Sequence, residues 1–538
     1  MRTMFSGTRF GLLAGVAALG LAGCAGDDLV DPEGSDPDEI IGANAVGRNA
    51  TIESYVLVST NASESEIKRA MIQQLRPLFG AMKAQDIGLG NRLDGANATS
   101  FIDVSTWRRD TVDVIDPMRP ETPVRQLQRV RFRYTDRAIV HNRYARRRAF
   151  PTTTLFGDYN SHASEIVQDC QSEHRDWGAS GIWYNFEPHL SACQQRITAE
   201  TTRITAQRRR LEDADRQVTV DEAARWFTPI SIKLTTISRQ ETRYPDYHRL
   251  FDDNRLVVYS FFGEDKHDDP NDYGARNFFA FLQTVLQARP ELRVSAPGTD
   301  LTAVSFRGMN ITGVTALQVA GWINNGTGYP SQVSFSDRNE FRRTVIRQWR
   351  DKTVTLSAPA TVSINGATKM VTLEVRAYYG DEESFSSGAV SRYRQAFRDA
   401  DVFQYTGHSH LGAGPLDSRN FSAMDFANQY QILQINSCVS FNYYNEYFTM
   451  HPGGTRNLDT VTNGLPVYLE GSGLSTARFT VAFLDGRFRS YNDVLVAMRV
   501  NLGWEYNHDA NRVADGESDN TFTPTSQRMT LTVAPAAR

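Results

Sequence analysis

The sequence predicts an α/β protein, with a mostly parallel sheet covered by helices on both faces in its C-terminal half and a mixed α/β N-terminal region before it. Three observations predict this. After about residue 250, short apolar runs alternate with amphipathic stretches, the pattern of buried parallel strands joined by helices. Before residue 245, strand-like alternation and helix caps occur without regular βα order. The composition is that of a water-soluble globular chain: of 538 residues, 40% are hydrophobic, 11% aromatic and 22% charged, and the mean hydropathy is −0.43. Fifty-eight basic residues against 62 acidic give a net charge of −4, which argues against nucleic acid as the main partner.

The elements follow in chain order. Arg2 and Arg9 precede an apolar run over 10–21 and the small residues Ala22 and Gly23, which reads as a secretory signal peptide over 1–23. The run is too short to span a bilayer. Its end, Leu21-Ala22-Gly23-Cys24, resembles the lipobox of bacterial lipoproteins. That resemblance implies cleavage before Cys24, lipid on its thiol and amine, and a membrane partner through that anchor. Ala25, and not an aspartate, follows Cys24, which by the same resemblance favours the outer membrane of a bacterial cell envelope. Loss of Arg2 and Arg9 takes the net charge from −4 to −6. Residues 24–50 carry seven acids from Asp27 to Glu39, broken by Pro32, Gly34 and Pro37, and read as a disordered acidic tether.

The region 51–245 opens with a strand over 52–59. Ser63 and Glu66 form a capping box for a helix with Ile67, Met71, Leu75, Leu78 and Phe79 at helical spacing. Arg129, Arg131 and Arg133 alternate with Val130, Phe132 and Tyr134, a half-buried strand with a solvated arginine face. A charged helical stretch over 196–227 holds a second capping box, Thr219 to Glu222. The lipid takes Cys24, and an exported chain meets an oxidising compartment, so Cys170 and Cys193 are expected to form a disulfide. Cys438 is left over.

The domain 250–510 is expected to contain strands over 256–262, 371–379, 401–406, 432–436 and 465–470. Helices are expected over 275–288, 391–400, 443–448 and 491–500. Residues 295–370 read as a β-rich insertion, and 511–538 as a C-terminal tail. Two strands end in reactive side chains: 401–406 runs into Gly407-His408-Ser409-His410, and 432–436 into Ser437-Cys438. In open α/β sheets ligands bind beyond the carboxyl ends of the strands. A thiol there needs a nearby imidazole, because only the thiolate attacks well. Gly407 lets backbone amides approach a substrate carbonyl.

A strand ending Tyr405-Thr406-Gly407-His408, with Asn436-Ser437-Cys438 thirty residues on, resembles the His–Cys dyad of the caspase–gingipain clan of cysteine peptidases, its gingipain-like branch above all. The resemblance implies a caspase-like fold, His408 as acid/base and Cys438 as nucleophile. It also implies an oxyanion site of backbone amides around Gly407, Ser409 and Cys438, and a further strand and substrate loop over 464–473. The function implied is a membrane-anchored, exported cysteine endopeptidase acting on protein or peptide through an acyl-enzyme, without a cofactor. The chain departs from the family pattern at Ser409, where a glycine is usual, and at Val439-Ser440, where Thr-Gly is frequent. The alternative is a non-catalytic lipoprotein that keeps the fold as a binding module.

Two metal readings stand beside these. His408 and His410 have the spacing of zinc ligands on a strand end, with Cys438 or Asp417 as a third. The loop 264–272 reads as a solvated acidic loop, or as a calcium site through Asp268, Asp269 and Asp272. His410 is expected to point away from His408 across an extended strand.

Overall fold

The computed structural model describes residues 40–91, 93, 95, 98–236, 242–296, 301–381, 387–444, 447–500 and 510–534. The signal peptide, Cys24 and the tether up to residue 39 lie outside the described residues. Among these residues seventeen strands form one sheet and two form a separate hairpin. The N-terminal strands are β1 (Ile40–Gly42), β2 (Ala45–Val58), β3 (Ile87–Leu89), β4 (Arg108–Ile115), β5 (Arg125–His141), β6 (Ala149–Leu155), β7 (Gln217–Thr219) and β8 (Phe227–Thr236). The later strands are β9 (Arg255–Gly263), β10 (Arg293–Ala296), the hairpin β11 (Ala303–Phe306) and β12 (Met309–Thr312), β13 (Lys352–Ile364), β14 (Ala367–Gly380), β15 (Val402–Thr406), β16 (Gln431–Asn436), β17 (Leu458–Asn463), β18 (Arg512–Asp515) and β19 (Met529–Val533).

The centre of the sheet is parallel: β14, β9, β15, β16 and β17 pair in that order. On one side β13 pairs antiparallel with β14, and on the other β18 pairs antiparallel with β17. Alternate residues of β9 feed two cores, as strand geometry requires. Leu256, Val258 and Phe262 pack with Phe278 and Leu282 of the helix Tyr273–Ala288 on one face. Val257, Tyr259 and Phe261 pack with Tyr393 and Phe397 of the helix Ser387–Asp399 on the other. Both faces are covered, which is why β9 reads as an apolar run from Leu256 to Phe262 broken only at Ser260. The helices Tyr273–Ala288 and Ser472–Leu484 touch so closely that a Cβ on Gly473 would come 2.1 Å from the carbonyl oxygen of Asn277, so only glycine fits.

β1 joins the two halves, pairing with β18 on one side and β2 on the other. β2 then pairs with β5 and β8. The helix Glu64–Lys83 carries the expected capping box of Ser63 and Glu66. Arg131 and Arg133 are exposed, as expected of a solvated face, but Arg129 is buried against Asp110. Cys170 and Cys193 lie at disulfide distance, with Cα atoms 4.8 Å apart, and join the helices Ala163–Cys170 and Ser191–Arg208. No helix among the described residues is long and apolar enough to cross a membrane.

Several boundaries differ from those the sequence predicts. Strands β1 and β2 begin inside the expected tether, because Ile40, Ile41 and Ala45 are apolar and buried and pair with Asp515, Ala514 and His141. The expected insertion 295–370 contains the helix Arg338–Trp349 and β13, which pairs along the main sheet. The expected tail supplies β18 and β19. The strand expected over 465–470 is a loop, and the strand lies earlier, as β17. Pro466 lacks the amide a central strand must donate. The stretch 458–463 hid its role because four of its six residues, Asp459, Thr460, Thr462 and Asn463, are buried and polar.

Candidate functional site

The site grows from one register. β15 and β16 run parallel, with Thr406 opposite Asn436. His408 and Cys438 each lie two residues further on, so they leave neighbouring strands at the same sheet edge, where backbones are about 4.8 Å apart. Both strand ends are pinned beneath them. The Thr406 and Thr476 hydroxyls meet at 2.8 Å, and Asn436 Nδ2 donates to Thr476 Oγ1 at 3.4 Å.

His408 lies just past the end of β15, with its carbonyl accepting the Tyr405 hydroxyl at 2.8 Å. Its Nε2 lies 3.9 Å from Asp265 Oδ1, and the imidazole side chain is 43% exposed against 18% for Asp265. Gly407 and Ser409 are buried. His410 and Leu411 both adopt left-handed backbone (φ 48° and 54°), so the strand ends at Thr406 and the chain is not extended here. The expectation that alternation along a strand parts His408 from His410 therefore lacks its strand, and their rings lie 6.0 Å apart.

Cys438 carries no disulfide and is half-buried, and its Sγ donates to the carbonyl of Val467 at 3.5 Å. The next residue, Val439, takes a left-handed conformation (φ 44°, ψ 35°), a strained one for a β-branched side chain. Ser440 anchors the turn: its hydroxyl donates to Ile435 O and accepts from Asn463 N, both at 2.8 Å. The N-terminal region adds charge. Lys83, in the last turn of its helix, places Nζ 3.7 Å from the centre of the Tyr184 ring and donates to Asn185 Oδ1 at 3.4 Å. Burial pulls its amine down to about 8, against the opposing pull of Glu187, Glu173 and Cys438.

The acidic loop lies at the same edge. Asp272 caps the helix Tyr273–Ala288, accepting the amides of Asp265 and Gly274 at 3.1 Å each, and burial pushes its carboxyl up to about 6. Asp268 pairs with Arg347 at 2.8 Å, and Asp269 accepts the amide of Asn271 at 2.8 Å. Asp417 accepts from Arg419. The three carboxylates of the calcium reading thus turn to three different partners. Among the described residues no group of three or more His, Cys, Asp or Glu side chains is arranged to hold a metal ion, in the zinc set or the calcium set.

A cavity of about 770 Å³ opens beyond the ends of β9 and β14, lined by Glu264, Asp265, Arg350, Tyr378, Asp381 and Arg392 among others. Asp265 therefore faces both the cavity and His408. Sequence reasoning singled out the loop but not Asp265 within it, and it gave Lys83 no role. The first was one carboxylate among five in nine residues. The second feels the charge of Cys438 only through packing of distant segments. Chemically, the edge offers a thiol, an imidazole with a carboxylate behind it, and a polar cavity alongside. Comparisons with protein-family models, with curated proteins and with solved structures find no match for this chain.

Proposed function

We propose that the protein is a cysteine endopeptidase of the caspase–gingipain type, exported and held at the bacterial cell envelope by lipid on Cys24. The observation that carries the reading is the register of β15 and β16, which sets His408 and Cys438 at matched ends of adjacent parallel strands. In this reading the Cys438 thiol gives its proton to His408, and the sulfur attacks the scissile carbonyl to form a C–S bond. Backbone amides around Ser409 and Cys438 face the developing oxyanion. His408 returns the proton to the leaving amine as the C–N bond breaks, leaving a thioester. Water, deprotonated by His408, then releases the acid and restores the thiol. Asp265 stabilises the imidazolium in between. The cavity beside Asp265 receives a polar side chain of the peptide.

One observation favours the binding-module alternative: Ser409, with a Cβ where the family usually has none, is buried at the place of the oxyanion site. A peptidyl electrophile that alkylates thiols decides between the two. The expected outcome is label on Cys438 in the parent protein, found by peptide mapping, and none in Cys438→Ala. A folded parent that stays unlabelled leaves the binding module. The anchor has its own test. Cys24→Ala is expected to move the protein from the detergent-extracted membrane fraction to the soluble or unprocessed one, and a variant that stays membrane-bound overturns the anchor.

A further inference from the structure

Cys438 is followed by a turn that its neighbouring strands do not hold alone. Val439 is left-handed, and its carbonyl accepts the amide of Asn442 at 2.9 Å. Asn442, 4% exposed, then reaches to the N-terminal region. Its side-chain nitrogen donates to Leu89 O at 3.1 Å and Asn91 O at 3.0 Å, so both of its hydrogens are taken by one loop of the N-terminal region.

That loop is itself fixed from behind. Asp136 Oδ1 accepts the amides of Gly90 at 3.2 Å and Asn91 at 3.0 Å. The Tyr134 hydroxyl donates to Asp136 Oδ2 at 3.0 Å and accepts from Asn91 Nδ2 at 3.1 Å. Asp136 and Tyr134 are each 3% exposed. Gly90 lies against the Phe441 ring, where a Cβ would come 2.9 Å from the ring edge. Residues 441 and 442, the two side chains beyond the strained turn, are thus both seated on residues 89–91.

We propose that Asn442, gripped by the carbonyls of Leu89 and Asn91, is a positioning residue through which the N-terminal region holds the Cys438 turn in its reactive geometry. The inference rests on the peptidase reading for what the thiol is positioned to do. Its physical basis is independent of that reading. A left-handed valine relaxes when its surroundings allow it, and a buried amide with both hydrogens satisfied on fixed carbonyls keeps the turn from doing so. Released, the thiol leaves the Val467 carbonyl and its place opposite the end of β15. It becomes easier for a small electrophile to reach and less able to attack a bound peptide.

The test uses the full chain and two readouts: the rate at which iodoacetamide alkylates Cys438, and the kcat and KM for a peptide substrate. Asn442→Ala is expected to alkylate about three- to tenfold faster while kcat falls by a similar factor and KM changes little. Tyr134→Phe, a gentler change that loosens the loop from behind, is expected to move both readouts the same way by about threefold. Thr154→Val removes a buried hydrogen bond to Gln74 O elsewhere in the N-terminal region and is expected to leave both unchanged. Folded Asn442→Ala and Tyr134→Phe proteins with the parental alkylation rate overturn the proposal, and if Asn442→Ala does not fold, Tyr134→Phe decides alone. A parent without peptidase activity whose variants still alkylate faster refutes the peptidase reading and leaves the clamp standing.

Discussion

Asp265 decides what kind of base His408 can be. A carboxylate 3.9 Å from the imidazole favours its protonated form, the form that the proposed mechanism passes through once the thiol has given up its proton. Asp265→Asn keeps the shape and removes the charge. The expected outcome is a fall in kcat of about fivefold, the equivalent of about 1 kcal/mol for a partly exposed ion pair at this separation. The acid limb of kcat/KM is expected to move to lower pH, because without the carboxylate the imidazolium of the free enzyme loses its proton more easily. A variant with parental kcat and pH profile removes Asp265 from the mechanism. At this scale the sequence was legible where a reactive residue directly follows an apolar strand, as His408 and Cys438 do. It was not legible for Lys83, which feels the charge of Cys438 only through the packing of the N-terminal region.

Among the elements, legibility followed how the sequence satisfies burial. β9 and β15 are buried on both faces and apolar or aromatic for most of their length, and β16 for half of it, so their spacing revealed them. β17 is equally buried but spells Leu-Asp-Thr-Val-Thr-Asn. Its polar side chains are accommodated by partners from other elements: Asp459 accepts from Tyr430, Tyr491 and Asn520, and Asn463 donates to Asn436 Oδ1 at 3.2 Å and Ser437 O at 3.1 Å. No local pattern announces such partners, because they come from segments up to 61 residues away. The turn after Cys438 shows the same limit. Its strain at Val439 and its grip on residues 89–91 depend on a chain segment 351 residues earlier. The helix Ser472–Leu484 was missed for another reason: it begins among glycine and serine residues that read as a loop.

Across the whole molecule, β1 ties the N-terminal sheet to β18, so the site edge and the region that holds it belong to one compact unit over 38–538. This unit buries carboxyls in both halves. Burial pushes Asp136 and Asp459 up to about 7 each. The ordinary value in an unfolded chain is 3.8, so the folded state holds the proton more tightly. Such a group contributes stability that is fully present below pH 3.8 and lost as pH rises towards 7. This runs opposite to the familiar loss of stability in acid. Asp459→Asn cannot ionise, so it isolates the effect of one group while leaving an oxygen for the Tyr430 and Tyr491 hydroxyls. The difference in unfolding free energy, parent minus variant, is expected to fall between pH 4 and 7 with a slope approaching about 1.4 kcal/mol per pH unit, and to level off above that range. Urea unfolding of both proteins at several pH values measures it. A difference that stays constant, or rises with pH, means that Asp459 is already ionised in the folded protein at pH 4 and that the tyrosine hydroxyls stabilise its charge outright.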